Sequence, residues 1–275
     1  MGPNSGADAG SGRGEWRVGV ETAPGRLVIV GTIGEAGEHA HAAVQVLVCG
    51  SGTVLLGDGR TELAVRAAVI PAGHAHRVRP TPTADAPTGV MVYLDAHARG
   101  GRALHDAAAR GGVACWAEAA AVFAVFAEED AAPGEVAGPA SPARVLRTLD
   151  RFGASAPEAA RHPALTAALA LLPAAVADGP VRLGEVAART GVSASRLGHL
   201  FAEQLGWSFP AAVRWARLHA AIAAARGGAN ATEAAHAAGF ADSAHLTRVF
   251  KAMFGITPSQ AQAAAHWTTP GREGR

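Results

Sequence analysis

The sequence predicts an α+β protein of two domains. An N-terminal antiparallel β-barrel or jelly roll is followed by helices, and a C-terminal all-α domain carries two helix-turn-helix units. Three observations carry this prediction. From Trp16 to about Asp95 the chain is a series of short β-type runs separated by glycine turns. Beyond residue 160 the apolar residues change to helical spacing. Within that helical half, Glu185–Phe209 and Glu233–Pro258 are worn copies of one unit. A chain of 275 residues, 49% hydrophobic, is long enough to bury a core in each domain.

Taken in order, residues 1–14 form a Gly/Ser/Asn tail, expected to be disordered and without the basic and apolar regions of a signal peptide. Residues 15–98 hold the barrel, with strand-like runs at Arg26–Gly31, Val44–Cys49, Thr53–Leu56, Ala67–Ile70 and Gly89–Leu94. Gly50-Ser51-Gly52 and Gly57-Asp58-Gly59 supply turns between them. Residues 99–160 read as a helical connector and linker. Ala117–Glu129 places Ala121, Val122, Val125 and Phe126 on one side, Ala131–Pro142 is a Pro/Gly/Ala linker, and Ala143–Phe152 is a second amphipathic stretch. The exposed side of that connector could pair two protomers or pack back on its own barrel. Residues 161–267 form the C-terminal domain, with helix-turn-helix units at 183–205 and 232–254. Its first helix is expected to open at Pro163, run over Ala164–Ala177 and end at Asp178-Gly179-Pro180.

The repeat is specific. Glu185 precedes Gly191 by six residues, as Glu233 precedes Gly239. After each glycine come a polar turn, an apolar anchor (Leu197, Leu246), a phenylalanine four residues on (Phe201, Phe250) and a glycine five beyond that (Gly206, Gly255). Ser193 can cap a helix to about Leu205 that buries Leu197, Leu200, Phe201 and Leu205. Its outward face then carries Ala194, Ser195, Gly198 and His199. In the second copy Asp242 can cap, Leu246, Phe250 and Met253 or Phe254 are buried, and Ser243, Ala244, Thr247 and Arg248 face outward. Tandem glycine-turn helix pairs are a layout that reads DNA.

These segments, GVSASRLGHLFAEQLGWSF and GFADSAHLTRVFKAMFGITPSQ, resemble the arabinose-regulator (AraC/XylS) family of bacterial transcription factors over roughly Pro163–Gln262. The resemblance implies seven helices, a long helix joining the two units, and double-stranded DNA as partner. That long helix fits Ala211–Arg226, with Ser208 as cap and Pro210 in the first turn. Carried over by position, the base-reading residues are Ala194, Ser195, Gly198, His199, Ser243, Ala244, Thr247 and Arg248, with His245 near the groove. Arg214 and Arg217 on the joining helix are expected to contact phosphates. The first reading helix has short donors, and Gly198 within it costs about 1 kcal/mol relative to alanine. Arg248 can clamp a guanine, so specificity should rest more on the second unit.

In the N-terminal half, Gly34–Gly52, with Glu38-His39-Ala40-His41 and Gln45, and Ile70-Pro71-Ala72-Gly73-His74-Ala75-His76 resemble the paired motifs of cupins. That resemblance covers residues 15–95 and implies a sensor barrel. His39, His41, Gln45 and His76 stand at metal-ligand positions, with Gln45 where glutamate is more usual. Alternate strand positions would put His39 and His41 on one face, and imidazoles suit a divalent transition metal. The same histidines also suit a metal-free barrel that binds a small-molecule effector, with His74 a turn residue. No nucleophile–base pair accompanies them, so catalysis is not expected.

Charge divides with the domains. Residues 161–275 hold 11 Lys+Arg and 6 Asp+Glu, a net +5; the remaining 13 and 17 give residues 1–160 a net −4. The basic half is the one expected to meet phosphate. Its excess is modest, which favours a homodimer on DNA. Cys49 and Cys115 fit neither a disulfide framework nor a metal knuckle. No apolar run is long enough to cross a bilayer, and a cytoplasmic regulator is expected, contacting RNA polymerase if it activates. The competing reading is a cupin metal- or small-molecule-binding enzyme with a helical interaction tail.

Overall fold

The computed structural model describes residues 17–23, 26–82, 85–96, 99–123, 142–155, 161–205 and 207–264. The expected tail at 1–14, the linker from Ala131 to residue 141, Gly206 and residues 265–267 lie outside them. The strands are β1 (Arg17–Ala23), β2 (Arg26–Thr32), β3 (Ala36–His39), β4 (Ala43–Ser51), β5 (Val54–Gly57), β6 (Glu62–Val65), β7 (Ala67–Ile70), β8 (His76–Pro80) and β9 (Thr88–Asp95). They form two sheets, ordered β1-β2-β9-β4-β7 and β3-β8-β5-β6, and every pairing is antiparallel. The barrel expectation is corrected here. Among the described residues the two sheets stay open at their edges, giving a jelly-roll-like pair rather than a closed barrel.

All five anticipated runs are strands. β1, β3, β6 and β8 went unanticipated because they are short or rich in polar residues, and their pairing rather than their composition makes them strands. β6, for example, pairs with β5 through Gly57↔Glu62, and Glu62 takes ion pairs from Arg77 and Arg79 on β8. Central strand β4 is buried from Ala43 to Cys49. It reads as an apolar run broken only by Gln45 because both its faces are covered. On the turn Gly57-Asp58-Gly59, the Asp58 carboxylate accepts from the backbone N–H groups of Arg60 (2.9 Å) and Thr61 (2.8 Å), while Gly59 takes φ +83°.

Helices α1 (Arg99–Ala108) and α2 (Val113–Ala119) pack back on the sheets, α1 on β4, β7 and β9 and α2 on β6 and β7. The connector helix expected over Ala117–Glu129 is met in part: a turn at Ala120 interrupts it, residues 121–123 are helical, and residues 124–129 lie outside the described residues. Gly111-Gly112 starts a helix earlier, Val113 and Trp116 bury its apolar side, and a turn at Ala120 ends it. Phe123 beyond that turn is buried; Val125 and Phe126 lie outside the described residues. Helix α3 (Pro142–Ser155) realises the second amphipathic stretch, burying Val145 and Leu149.

Seven further helices follow, as expected: α4 (Pro163–Asp178), α5 (Leu183–Arg189), α6 (Ala194–Leu205), α7 (Phe209–Arg226), α8 (Ala231–Ala237), α9 (Ser243–Phe254) and α10 (Pro258–Ala264). Ser193 Oγ accepts from Arg196 N–H (3.2 Å) and Asp242 Oδ1 from His245 N–H (2.6 Å), so both expected caps form. Ser208 sits at the N-cap of α7 but makes no side-chain cap bond; Pro210 in the first turn removes one orphan donor instead. Unanticipated is the capping box of α8. Asn230 Oδ1 accepts from Glu233 N–H (3.1 Å) and Glu233 Oε2 from Asn230 N–H (2.8 Å).

Candidate functional site

In each helix-turn-helix unit a glycine makes the turn, Gly191 at φ +72° and Gly239 at φ +71°. The turn sets the second helix of each pair, α6 and α9, on its buried stripe. Leu197, Leu200, Phe201 and Leu205 are buried in α6, and Leu246, Phe250, Met253 and Phe254 in α9. What remains on the other side is the outward set expected from the sequence. On α6, Ala194, Ser195 and His199 are exposed and Gly198 half-buried. His199 Nδ1 lies 2.8 Å from the Ser195 carbonyl, which can only accept, so Nδ1 carries a proton. Arg196, outside the expected set, is also exposed and pairs with Glu203 at 3.6 Å. As the one arginine of α6 it adds a long donor to this helix.

On α9, Ala244 and Arg248 are exposed and Ser243 and Thr247 half-buried, the Thr247 hydroxyl donating to the Ser243 carbonyl (2.8 Å). Arg248 has no ion pair with any described residue, so its five N–H donors are available. His245 stacks edge-on against Phe240 (5.3 Å between centroids) and so helps to pack the turn. Arg214 is exposed on α7. Arg217 is half-buried, lying against the Gly239 turn with its Nε buried and unpartnered.

The second cluster lies in the N-terminal half. His39 and His76 face each other in the β3–β8 register. His41 belongs to the connection after β3, not to a strand, so the expected strand alternation does not place it; the chain bends it inward. Together with Gln45 on β4, all are buried. His74 stays in its turn, Nδ1 3.1 Å from the Ala72 carbonyl. The ligand atoms of His39, His41 and His76 lie within 4.8 Å of one another.

Their hydrogen bonds fix the chemistry. Each Nδ1 faces a carbonyl: His39 that of Gly37 (2.7 Å), His41 that of Ala43 (2.8 Å) and His76 that of His74 (2.9 Å). Carbonyls only accept, so each Nδ1 carries the proton and each Nε2 offers a lone pair. His41 and His76 aim theirs at Gln45 Oε1, at 3.0 and 3.1 Å, and that oxygen is also an acceptor. His39 Nε2 is buried with no partner. Turning the Gln45 amide would give donors to His41 and His76 and still leave His39 bare. A proton does not resolve this, because burial, with a smaller contribution from His41, holds His39 down to about 4. Burial also lowers His41, and burial then the two neighbouring imidazoles lower His76. Three imidazole lone pairs and an amide oxygen fit a divalent transition metal.

Between the halves runs an open-sided apolar cleft, lined by Val18, Val20 and Ile29 of the larger sheet and by Ile222, Leu246 and Phe250 of α7 and α9. Both cysteines are free; Cys49 is buried, and its thiol is pushed up to about 11 by that burial.

A helix-turn-helix domain family matches residues 186–264. The HTH-type transcriptional regulator GlxA of Rhizobium meliloti is 36% identical over 124 residues, which are 45% of this chain and 36% of that protein. Among solved structures, an apo variant of ToxT from Vibrio cholerae superposes with a TM-score of 0.53 at 12% identity, covering 89% of this chain and 99% of that one. ToxT with an unsaturated fatty acid bound gives 0.54 at 10% identity, covering 90% and 98%. At those identities the likeness is one of fold, and it extends over both halves. Residues 186–264 thus match a helix-turn-helix domain family, in a chain whose fold is like that of ToxT.

Proposed function

We propose that the whole chain is a sequence-specific regulator of transcription that reads double-stranded DNA with α6 and α9 and takes its signal through the N-terminal half. The observation that carries this is the pair of reading helices, each with an exposed small or polar face above a fully buried stripe. Ser195, Gly198, His199 and Ala194 on α6, and Ser243, Ala244, Thr247, Arg248 and His245 on α9, meet the bases; Arg214 and Arg217 meet phosphates. A homodimer supplies the positive charge that one C-terminal half lacks. Cytoplasmic location, and contact with RNA polymerase in an activator, follow from the same reading; no described helix is long and apolar enough to cross a membrane.

Arg248→Ala tests the reader. If Arg248 clamps a guanine, the variant loses roughly 1–3 kcal/mol on the operator and almost nothing on random DNA. Equal losses on both in an anisotropy titration would make Arg248 a phosphate contact instead.

For the signal, His39, His41 and His76 Nε2 with Gln45 Oε1 would hold a divalent transition metal. A bound ion would supply a cation to lone pairs that otherwise confront one another. No nucleophile–base pair or paired carboxylates accompany the cluster among the described residues, and this supports a sensor over the enzyme reading. Protein purified without a nickel column should carry near-stoichiometric metal, lost when His39 and His76 are both changed to alanine. Metal-free protein that still answers an effector would move the signal to the apolar cleft, a reading that the fatty-acid complex of ToxT supports.

A further inference from the structure

We infer that His39 is a shared wall: an ion held by the histidine cluster fastens the second helix-turn-helix unit to the N-terminal half through Gly255, so that metal occupancy and the freedom of α9 are coupled. This rests on reading the cluster as a metal site.

Gly255 ends α9 in the left-handed region, φ +72°, with its N–H donated to the Lys251 carbonyl (2.8 Å). A Cβ there would lie 2.8 Å from His39 Nδ1, 2.9 Å from the Gly37 carbonyl oxygen and 2.9 Å from Ala36 Cβ. The end of α9 therefore rests backbone-to-strand on β3, with no side chain between it and a cluster imidazole. A second contact runs in parallel. Tyr93, the chain's single tyrosine, is edge-on to His41 at 5.1 Å and to Phe254 at 5.3 Å.

The His39 ring is tethered at one end only. Nδ1 is held by the Gly37 carbonyl, the oxygen that Gly255 abuts, while Nε2 has no partner. Coordination through Nε2 fixes the ring at both ends and stiffens the surface on which α9 is seated. Arg248 is exposed on the seated helix, so the ion restrains α9 without covering its reading face. Coupling of this kind is reciprocal: if the ion strengthens the seating, the seating strengthens ion affinity by the same factor. It can therefore be measured from the metal side, with no DNA present.

The test uses the full chain, stripped by chelation and titrated with Co²⁺, whose visible absorption reports imidazole coordination. Wild type is compared with Gly255→Asn and Gly191→Asn. Asparagine tolerates the left-handed backbone, and Gly191 has the same φ of +72°, with open space for 4 Å around an added Cβ. Gly191→Asn thus controls for helix-end strain. Gly255→Asn should bind Co²⁺ at least about fivefold more weakly, the lower end of ordinary coupling, and Gly191→Asn as wild type does. Independently of any variant, Zn²⁺ should slow hydrogen exchange of the last-turn amides of α9 in the wild type, Lys251 to Gly255, by a similar factor. That measurement decides the matter if Gly255→Asn does not fold. Equal Co²⁺ affinity in all three proteins with unchanged exchange overturns the coupling and leaves the metal site standing. No Co²⁺ binding in the wild type removes the metal reading and this inference with it.

Discussion

Glycine does opposite things at Gly255 and Gly198. The first has a left-handed backbone and no room for a methyl group. At Gly198, inside α6, φ is not positive, and an added Cβ would meet only Leu183 Cδ2 at an ordinary 3.6 Å. Gly198→Ala should therefore raise stability by about 0.5–1 kcal/mol through the lost backbone freedom of the unfolded chain, seen as a higher denaturant midpoint at unchanged slope. A lower midpoint would show that α6 needs a glycine there for packing. Histidine shows a similar division. His219 on α7 lies against Trp215 (4.7 Å between centroids), and its Nε2 is buried without a partner. Burial lowers its pKa from 6.5 to about 4. Between those values the unfolded chain takes up a proton that the folded one refuses. The stability it contributes is thus complete above about pH 6.5 and is lost as pH falls toward 4. The slope is at most about 1.4 kcal/mol per pH unit. Replacing His219 with leucine should flatten the pH dependence of unfolding by that much in this window; identical slopes for the two proteins would refute the assignment.

At the scale of elements, α7 decides how the two readers act together. It runs unbroken over 18 residues, Phe209–Arg226, with its proline in the first turn, so it spans about 27 Å as a rigid strut. Helices α6 and α9 are then fixed relative to each other and should dock in two successive major grooves, with contacted blocks about 10 base pairs apart. Seating a rigid pair at that spacing is expected to bend the DNA and create preference at the uncontacted bases between the blocks. Five base pairs inserted between the blocks turn one away by half a turn. The full chain should then bind the lengthened operator no better than random DNA in a gel-shift titration. Undiminished binding would mean that one unit alone reads sequence, and α6, with its short donors, would be the one set aside. The elements themselves were largely legible. The glycine turns, the caps Ser193 and Asp242 and the buried stripes are short-range features, settled within a few residues. The early start of α2 was not, because only the packing of Val113 and Trp116 against the sheets marks it.

For the whole molecule, the halves are not merely tethered. Arg161, at the head of the C-terminal domain, pairs with Asp95 of β9 at 3.1 Å, α10 lies against β1, and α9 against β3. The acidic half thus carries the basic one on an apolar seam, leaving His199 of α6 and Arg248 of α9 exposed. Taken by itself, the sequence determined the two helix-turn-helix units and the residues on their outward faces, and its likeness to the cupin motifs named the members of the histidine cluster. Periodicity, turn glycines and motif spacing are local, and they survive without knowledge of the fold. Only the tertiary structure decided that the strands form two open sheets, because β3 and β8 take their conformation from partners far along the chain. It alone also decided that the lone pairs of the cluster lie on Nε2, since Nδ1 of each histidine is claimed by a carbonyl whose direction depends on the local bend. Last, it decided that Gly255 rests on His39. No pattern in the sequence encodes that contact, because it joins surfaces of two separately folded units whose fit depends on how both are built.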